Sequence, residues 1–209
     1  MNRVLGVLIS GRGSNLQALI AAIADGRLDA TIGIVISNRE NAPGLAHARA
    51  AGIEAICVSH RRWPSREAFD RAIAGELRAR NVGLVCLAGF MRIVGQPLLE
   101  AFPNAIINVH PSLLPSFPGI DAQAQAIQHG VKVSGVTVHL VTAGLDDGPI
   151  VVQRAVPVDD IDTPDSLAAR ILEEEHRAYP EAVTILLDGG WRVEGRRFLR
   201  SATSVEASR

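Results

Sequence analysis

The chain has 209 residues, enough for one substantial core or at most two small domains. Its formal net charge of -1 and the lack of a basic block argue against a nucleic-acid surface, and all but one of the basic residues are Arg, the exception being Lys132, a skew that fits genome composition. No apolar stretch is long enough to cross a membrane, and the amino-terminal run Val4 to Ile9 is too short for a signal peptide, so a cytoplasmic protein is expected.

In chain order, Val4 to Ile9 reads as a buried strand, Ser10 to Asn15 as a glycine loop and Leu16 to Ile23 as a helix, half of a βαβ unit. The pattern repeats. Thr31 to Ser37 and Glu54 to Val58 read as strands, Ala42 to Ala51 as a helix closed by Gly52, and Arg66 to Arg80 as a longer helix. Val82 to Ala88 is the next strand, and it leads into Gly89 to Val94. Cys57 and Cys86 sit in apolar segments without Cys-x-x-Cys spacing and read as buried free thiols, which suits a reducing compartment.

Ala105 to His110 is a β-branched apolar run stopped by Pro111, a short buried strand. Pro111, Pro115 and Pro118 with Gly119 then give an extended loop before a short helix from about Ala122 to His129. Val133 to Val141 and Ile150 to Val158 read as two longer strands joined by the turn-rich Thr142 to Pro149. A helix follows, with Thr163 as cap and Pro164 at its first position, and Pro180 is expected to kink or divide it. A hairpin of Trp191 to Glu194 and Arg197 to Leu199 precedes a polar tail, residues 201–209, expected to be mobile. This alternation predicts an α/β, Rossmann-like, mostly parallel sheet with helices on both faces and antiparallel additions in the carboxyl-terminal part.

Asn108 and His110 lie two apart on a strand and so share one face at its carboxyl end, where open α/β sheets place ligands. Burying an amide and an imidazole unpaired in an apolar strand is costly, which favours a function for them over a core histidine with a neighbouring amide. Asp146 and Asp147, on the later turn, can supply a carboxylate. Amide, imidazole and carboxylate are the groups needed to move an acyl unit between nitrogens.

The loop Gly11 to Asn15 offers backbone N–H groups and a helix amino terminus to a phosphate, with Ser14 and Asn15 as added donors. The alternative is a tight turn capped by Ser14 or Asn15. A dinucleotide fingerprint would need a third glycine where Leu16 stands, so a nicotinamide cofactor is disfavoured, and no nucleotide-hydrolase phosphate loop is present.

These residues together resemble the glycinamide ribonucleotide formyltransferase family over about residues 1 to 190. The motifs are Ile9-Ser-Gly-Arg-Gly-Ser-Asn-Leu-Gln17, Leu87-Ala-Gly-Phe-Met-Arg-Ile93, Asn108-Val-His-Pro-Ser-Leu-Leu-Pro115, and Gly135-Val-Thr-Val-His-Leu-Val141 with Leu145-Asp146. The resemblance implies a formyltransferase fold and formyl transfer from 10-formyltetrahydrofolate, a cosubstrate, to glycinamide ribonucleotide, with no metal. It implies Asn108, His110 and Asp146 as the catalytic set, Gly13, Ser14 and Asn15 at the phosphate, and Glu175 at the glycinamide end. Folate contacts fall on Arg66, on Met91, Arg92, Ile93 and Val94, on Asn108, and on Thr142, Ala143, Gly144 and Leu145. It implies one formyltransferase domain over residues 1–200, with residues 1–103 as the phosphate-binding half and 104–200 as the folate and catalytic half. A monomer or homodimer acting on small molecules, with no nucleic acid or membrane partner, is expected.

Read without the resemblance, Glu173, Glu174 and Glu175 are a solvated helix face. His139 matches the family motif but alternates with strand residues and reads as a structural hydrogen-bonder, and Asp147 is the rival to Asp146 if the alignment slips by one. The segment Asp121 to Gln125 is given no role. Other readings are a formyltetrahydrofolate hydrolase on the same scaffold, a metal hydrolase using His110, His139 and an aspartate, and a non-catalytic nucleotide-binding module. With the first strand at residue 4 and few residues after 200, neither the extra amino-terminal domain of the hydrolase kind nor the nucleic-acid-binding domain of a methionyl-tRNA formyltransferase is expected.

Overall fold

The computed structural model describes residues 2–201; the tail expected to be mobile lies, from residue 202, outside the described residues. Five parallel strands, β1 (Val4–Ile9), β2 (Thr31–Ser37), β3 (Ala55–Cys57), β4 (Leu84–Leu87) and β5 (Ile106–His110), are extended by β6 (Val133–Leu140) and β7 (Ile150–Pro157). The last two each run antiparallel to the strand before them. The sheet order is β3-β2-β1-β4-β5-β6-β7, so the chain reverses its direction of travel between β1 and β4. That reversal opens a crevice at the carboxyl ends of β1 and β4, the usual ligand position in open α/β sheets. The glycine loop leaves β1 there, and the Gly89 to Gly95 segment leaves β4.

The helices are α1 (Ser14–Ala24), α2 (Gly44–Ala50), α3 (Arg66–Ala79), α4 (Gln96–Ala101), α5 (Ala122–His129) and α6 (Pro164–Asp188). They fall into two groups, α1 with α2, α6 and α5, and α3 with α4, as expected for a sheet covered on both faces. Ser65 caps α3, its hydroxyl accepting the Ala68 N–H at 3.2 Å, and Phe69, Ile73 and Leu77 at four-residue spacing bury one face. Thr163 and Ser166 form a reciprocal capping box at the start of α6. The hairpin β8 (Trp191–Glu194) and β9 (Arg197–Arg200) closes the described chain, with Trp191 stacked on Phe198.

Two expectations need correction, and two short elements escape the sequence pattern. Pro180 does not divide the last helix: α6 runs through it for 25 residues, because Tyr179, Pro180, Ala182 and Val183 are all buried and packing outweighs the missing N–H. The helix α4 and a short 3₁₀ turn at His60–Arg62 had no periodic signal, being only six and three residues long. Cys86 is fully buried and its thiol is pushed up to about 12 by desolvation, whereas Cys57 at the edge strand is only half-buried.

Candidate active site

Pairing of β5 with β6 sets Asn108 opposite His139 and His110 opposite Thr137, so four polar side chains share one face of an otherwise apolar sheet. Val136, Val138 and Leu140 alternate with them and are buried. Asp146 comes from the β6–β7 connection and meets this face. Its Oδ2 lies 3.4 Å from His110 Nδ1 and its Oδ1 lies 3.6 Å from His139 Nε2. It also accepts the Gly119 N–H at 2.8 Å, from the proline loop. Burial raises the Asp146 carboxyl, but the His139 hydrogen bond, the Gly119 N–H and the two nearby imidazoles outweigh that and hold it below its ordinary value. Asp147 points elsewhere, accepting from the Thr142 hydroxyl.

Both nitrogens of His110 face oxygens that can only accept: Asp146 on one side, and on the other the Phe117 carbonyl, 2.8 Å from Nε2. His139 Nδ1 lies 2.9 Å from the Leu140 carbonyl, and its Nε2 lies 3.3 Å from Asn108 Nδ2 and faces Asp146 Oδ1. The proline loop is itself held in place. Thr137 donates to the Ser112 carbonyl and accepts the Leu114 N–H, and Gln153 donates to the Leu114 carbonyl.

A cavity of about 700 Å³ lies over the crevice, lined by Ser10 to Asn15 and by Met91, Val109, Pro111 and Glu175 among others. Gly13 precedes α1 with φ 79°, and a Cβ there would lie 2.8 Å from the Gly44 Cα, so only glycine fits. No described side chain caps α1, contrary to the capped-turn alternative; the Gln17 N–H is bonded to the Gly13 carbonyl, and the helix amino terminus opens on the cavity. Asn15 instead donates from Nδ2 to Glu175 Oε2 at 2.6 Å, and its Oδ1 has no partner among the described residues. Glu175 is therefore no part of a solvated face. It is 9 % exposed, and burial raises its carboxyl, partly offset by Asn15.

The residues expected near a folate fall in two places. Met91 and Ile93 are exposed, Arg92 is half-buried with its guanidinium over the Phe69 ring, and Val94 is in the core. Arg66 is exposed at the start of α3, beside Gly95. Ala143, Gly144 and Leu145 are exposed and Thr142 is half-buried on the loop that carries Asp146. Among the described residues no group of His, Cys, Asp and Glu is placed to hold a metal ion, and no helix is long and apolar enough to cross a membrane.

Residues 3–183 match the formyl transferase family, and the chain belongs to it. It is 41% identical to the phosphoribosylglycinamide formyltransferase of Bacillus subtilis over 87% of this chain and 93% of that one. It is 46% identical to the trifunctional purine biosynthetic protein adenosine-3 of Drosophila melanogaster over 88% of this chain, which spans only 14% of that longer protein. Among solved structures, glycinamide ribonucleotide transformylase 1 from Symbiobacterium toebii superposes with a TM-score of 0.94 at 54% identity, covering 96% of this chain and 94% of that one. A formyltetrahydrofolate deformylase from Pseudomonas syringae superposes with a TM-score of 0.88 at 25% identity, covering 96% of this chain and 66% of that one.

Proposed function

We propose that the chain transfers the formyl group of 10-formyltetrahydrofolate to the amine of N1-(5-phosphoribosyl)glycinamide, in de novo purine biosynthesis, giving the N-formyl product and tetrahydrofolate. The observation that carries this reading is the convergence of Asn108, His110 and Asp146 beside a cavity that also holds an uncapped glycine-loop helix. Kinship with the Bacillus and Symbiobacterium proteins supports it. The protein works in the cytoplasm as a monomer or homodimer on these two small molecules.

The phosphate binds the α1 amino terminus through Gly13, Ser14 and Asn15. Glu175, held by Asn15, receives the glycinamide end. The formyl folate lies along Arg66, the Met91 to Val94 segment and the Thr142 to Leu145 loop. Glu175 reaches the glycine loop from the second half of the chain, while Arg66 and Met91 lie in the first, so each substrate is bound across the division at residues 103 and 104.

Attack by a neutral amine makes the formyl oxygen negative, and donors aimed at that oxygen supply the largest single contribution to catalysis. Asn108 donates from Nδ2. His110 donates from Nε2 once the formyl oxygen takes the place of the Phe117 carbonyl, with Asp146 at Nδ1 on the opposite side of the ring. A proton then passes from the attacking nitrogen to the leaving one, by way of Asp146 or a water.

Turnover of 10-formyltetrahydrofolate by the purified protein tests this, with and without the ribonucleotide. Deformylation is expected only when the amine is present. Full-rate turnover without it would replace this reading with the hydrolase.

A further inference from the structure

Segment Gly89 to Gly95 has irregular backbone and carries exposed Met91 and Ile93, yet two of its N–H groups are held by buried side chains from other elements. The Met91 N–H donates to Ser10 Oγ at 2.8 Å. Ser10 is 2% exposed, donates its own hydroxyl proton to Asn38 Oδ1 at 2.6 Å, and donates its N–H to the Gly89 carbonyl. One hydroxyl thus ties together the chain ends leaving β1, β2 and β4. At the far end, the Gly95 N–H donates to Asp70 Oδ2 at 2.8 Å.

Asp70 is as buried as Ser10 and belongs to the same two turns of α3 as Arg66 and Phe69. A Cβ at Gly95 would lie 2.5 Å from Asp70 Oδ2, so the approach depends on glycine. Burial raises the Asp70 carboxyl, and the Gly95 N–H, Arg66 and Arg92 oppose that, which places both arginines within electrostatic reach of it.

We infer that Ser10 and Asp70 are positioning residues that clamp the Met91 to Val94 segment at its two ends, Ser10 joining it to the glycine loop and Asp70 to the helix that carries Arg66. This rests on the reading that the segment receives the formyl folate. Neither residue needs to touch substrate. Each accepts a backbone N–H of the segment, and each thereby fixes where Met91, Arg92 and Ile93 stand. Through Ser10 the clamp also links the loop proposed for the phosphate to the segment proposed for the folate.

The test compares Ser10→Ala, Asp70→Ala and Asp70→Asn with the parent protein. Amide hydrogen exchange on the substrate-free proteins reads the clamp itself: protection should fall at Met91 in Ser10→Ala and at Gly95 in Asp70→Ala, with the sheet amides unchanged. Kinetics reads the consequence. Asp70→Ala should raise KM for the formyl folate about tenfold while kcat and KM for the ribonucleotide stay within about twofold. Asp70→Asn, whose amide oxygen still accepts the Gly95 N–H, should restore most of that KM, and Gly95→Ala should reproduce the Asp70→Ala defect. In Ser10→Ala, KM for both substrates should rise. Unchanged protection at Met91 and Gly95 overturns the clamp whatever the substrate proves to be. Lost protection with unchanged KM for the formyl folate overturns the positioning role. Lost protection in a protein whose parent does not turn over formyl folate leaves the clamp standing and removes the functional reading instead.

Discussion

Asn15 and Glu175, 160 positions apart in the chain, share a buried hydrogen bond of 2.6 Å across the mouth of the cavity. The bond joins the first turn of α1 to the middle of α6, and it holds a carboxyl whose ionised form burial disfavours. Glu175→Gln keeps an oxygen to accept from Asn15 and removes the charge. Its melting temperature should rise by a few degrees, the size of about 1 kcal/mol in a domain of this length. The sign follows from the raised folded-state value: the parent pays no cost while the group is protonated in both states, and the cost grows as pH rises through the folded value. The gain should therefore be absent in acid and full only above the folded value, while KM for the ribonucleotide rises tenfold or more.

Asn108→Ala and His110→Ala should each lower kcat by on the order of a hundredfold to a thousandfold, the cost of one oxyanion donor. The double variant should lose less than the product of the two, because both act on one developing charge. Steady-state kinetics at saturating substrates decides this, and a strictly multiplicative double variant would speak against a shared oxygen.

Asp146 has φ 50°, in the left-handed region that Asn tolerates and Ala does not, so Asp146→Asn is the informative variant. It should fold and lose on the order of a hundredfold or more in kcat, whereas Asp147→Asn, which only loosens a bond to Thr142, should stay within about threefold. Because the Asp146 carboxyl is held below its ordinary value, the stability it contributes is complete above the ordinary carboxylate range and is lost as pH falls through the lowered value. An acid limb of kcat/KM above pH 5 should then belong to another group and should persist in form when urea-determined stability is flat.

His139 touches both Asn108 and Asp146. His139→Asn should cut kcat by about tenfold with little change in either KM, since it acts through the donors rather than on the substrates. A change confined to melting temperature would return it to a purely structural role.

Tyr179 is fully buried and donates from its hydroxyl to the Leu87 carbonyl at 2.9 Å, securing α6 to the end of β4. Tyr179→Phe should cost about 1 kcal/mol by denaturant melting, with kinetics unchanged.

The parallel half of the fold was legible, apart from α4 and the His60–Arg62 turn, because its strands and longer helices carry their own local signals, from the β-branched run of β2 to the apolar spacing of α3. Asn108 and His110 were legible for the same reason, polar residues two apart in an apolar strand. His139 was not, because its place in the site follows from the β5–β6 register, which no local pattern encodes. From its residues alone Glu175 reads as solvated, since three consecutive acids look alike, and only the resemblance sets it at the glycinamide end; helix phase and the fit against α1 bury it. The Phe117 carbonyl and the Gly119 N–H were invisible in principle, being backbone groups that any residue would supply.

The hold of that Phe117 carbonyl on His110 Nε2 bears on inhibitor design. An inhibitor that offers a single oxygen to the imidazole merely exchanges one acceptor for another and gains little net affinity. A compound that leaves the carbonyl in place and fills the space beside Met91 and Ile93 gains apolar burial without moving the proline loop. Selectivity between relatives of this chain would then be sought along that segment rather than at the histidine.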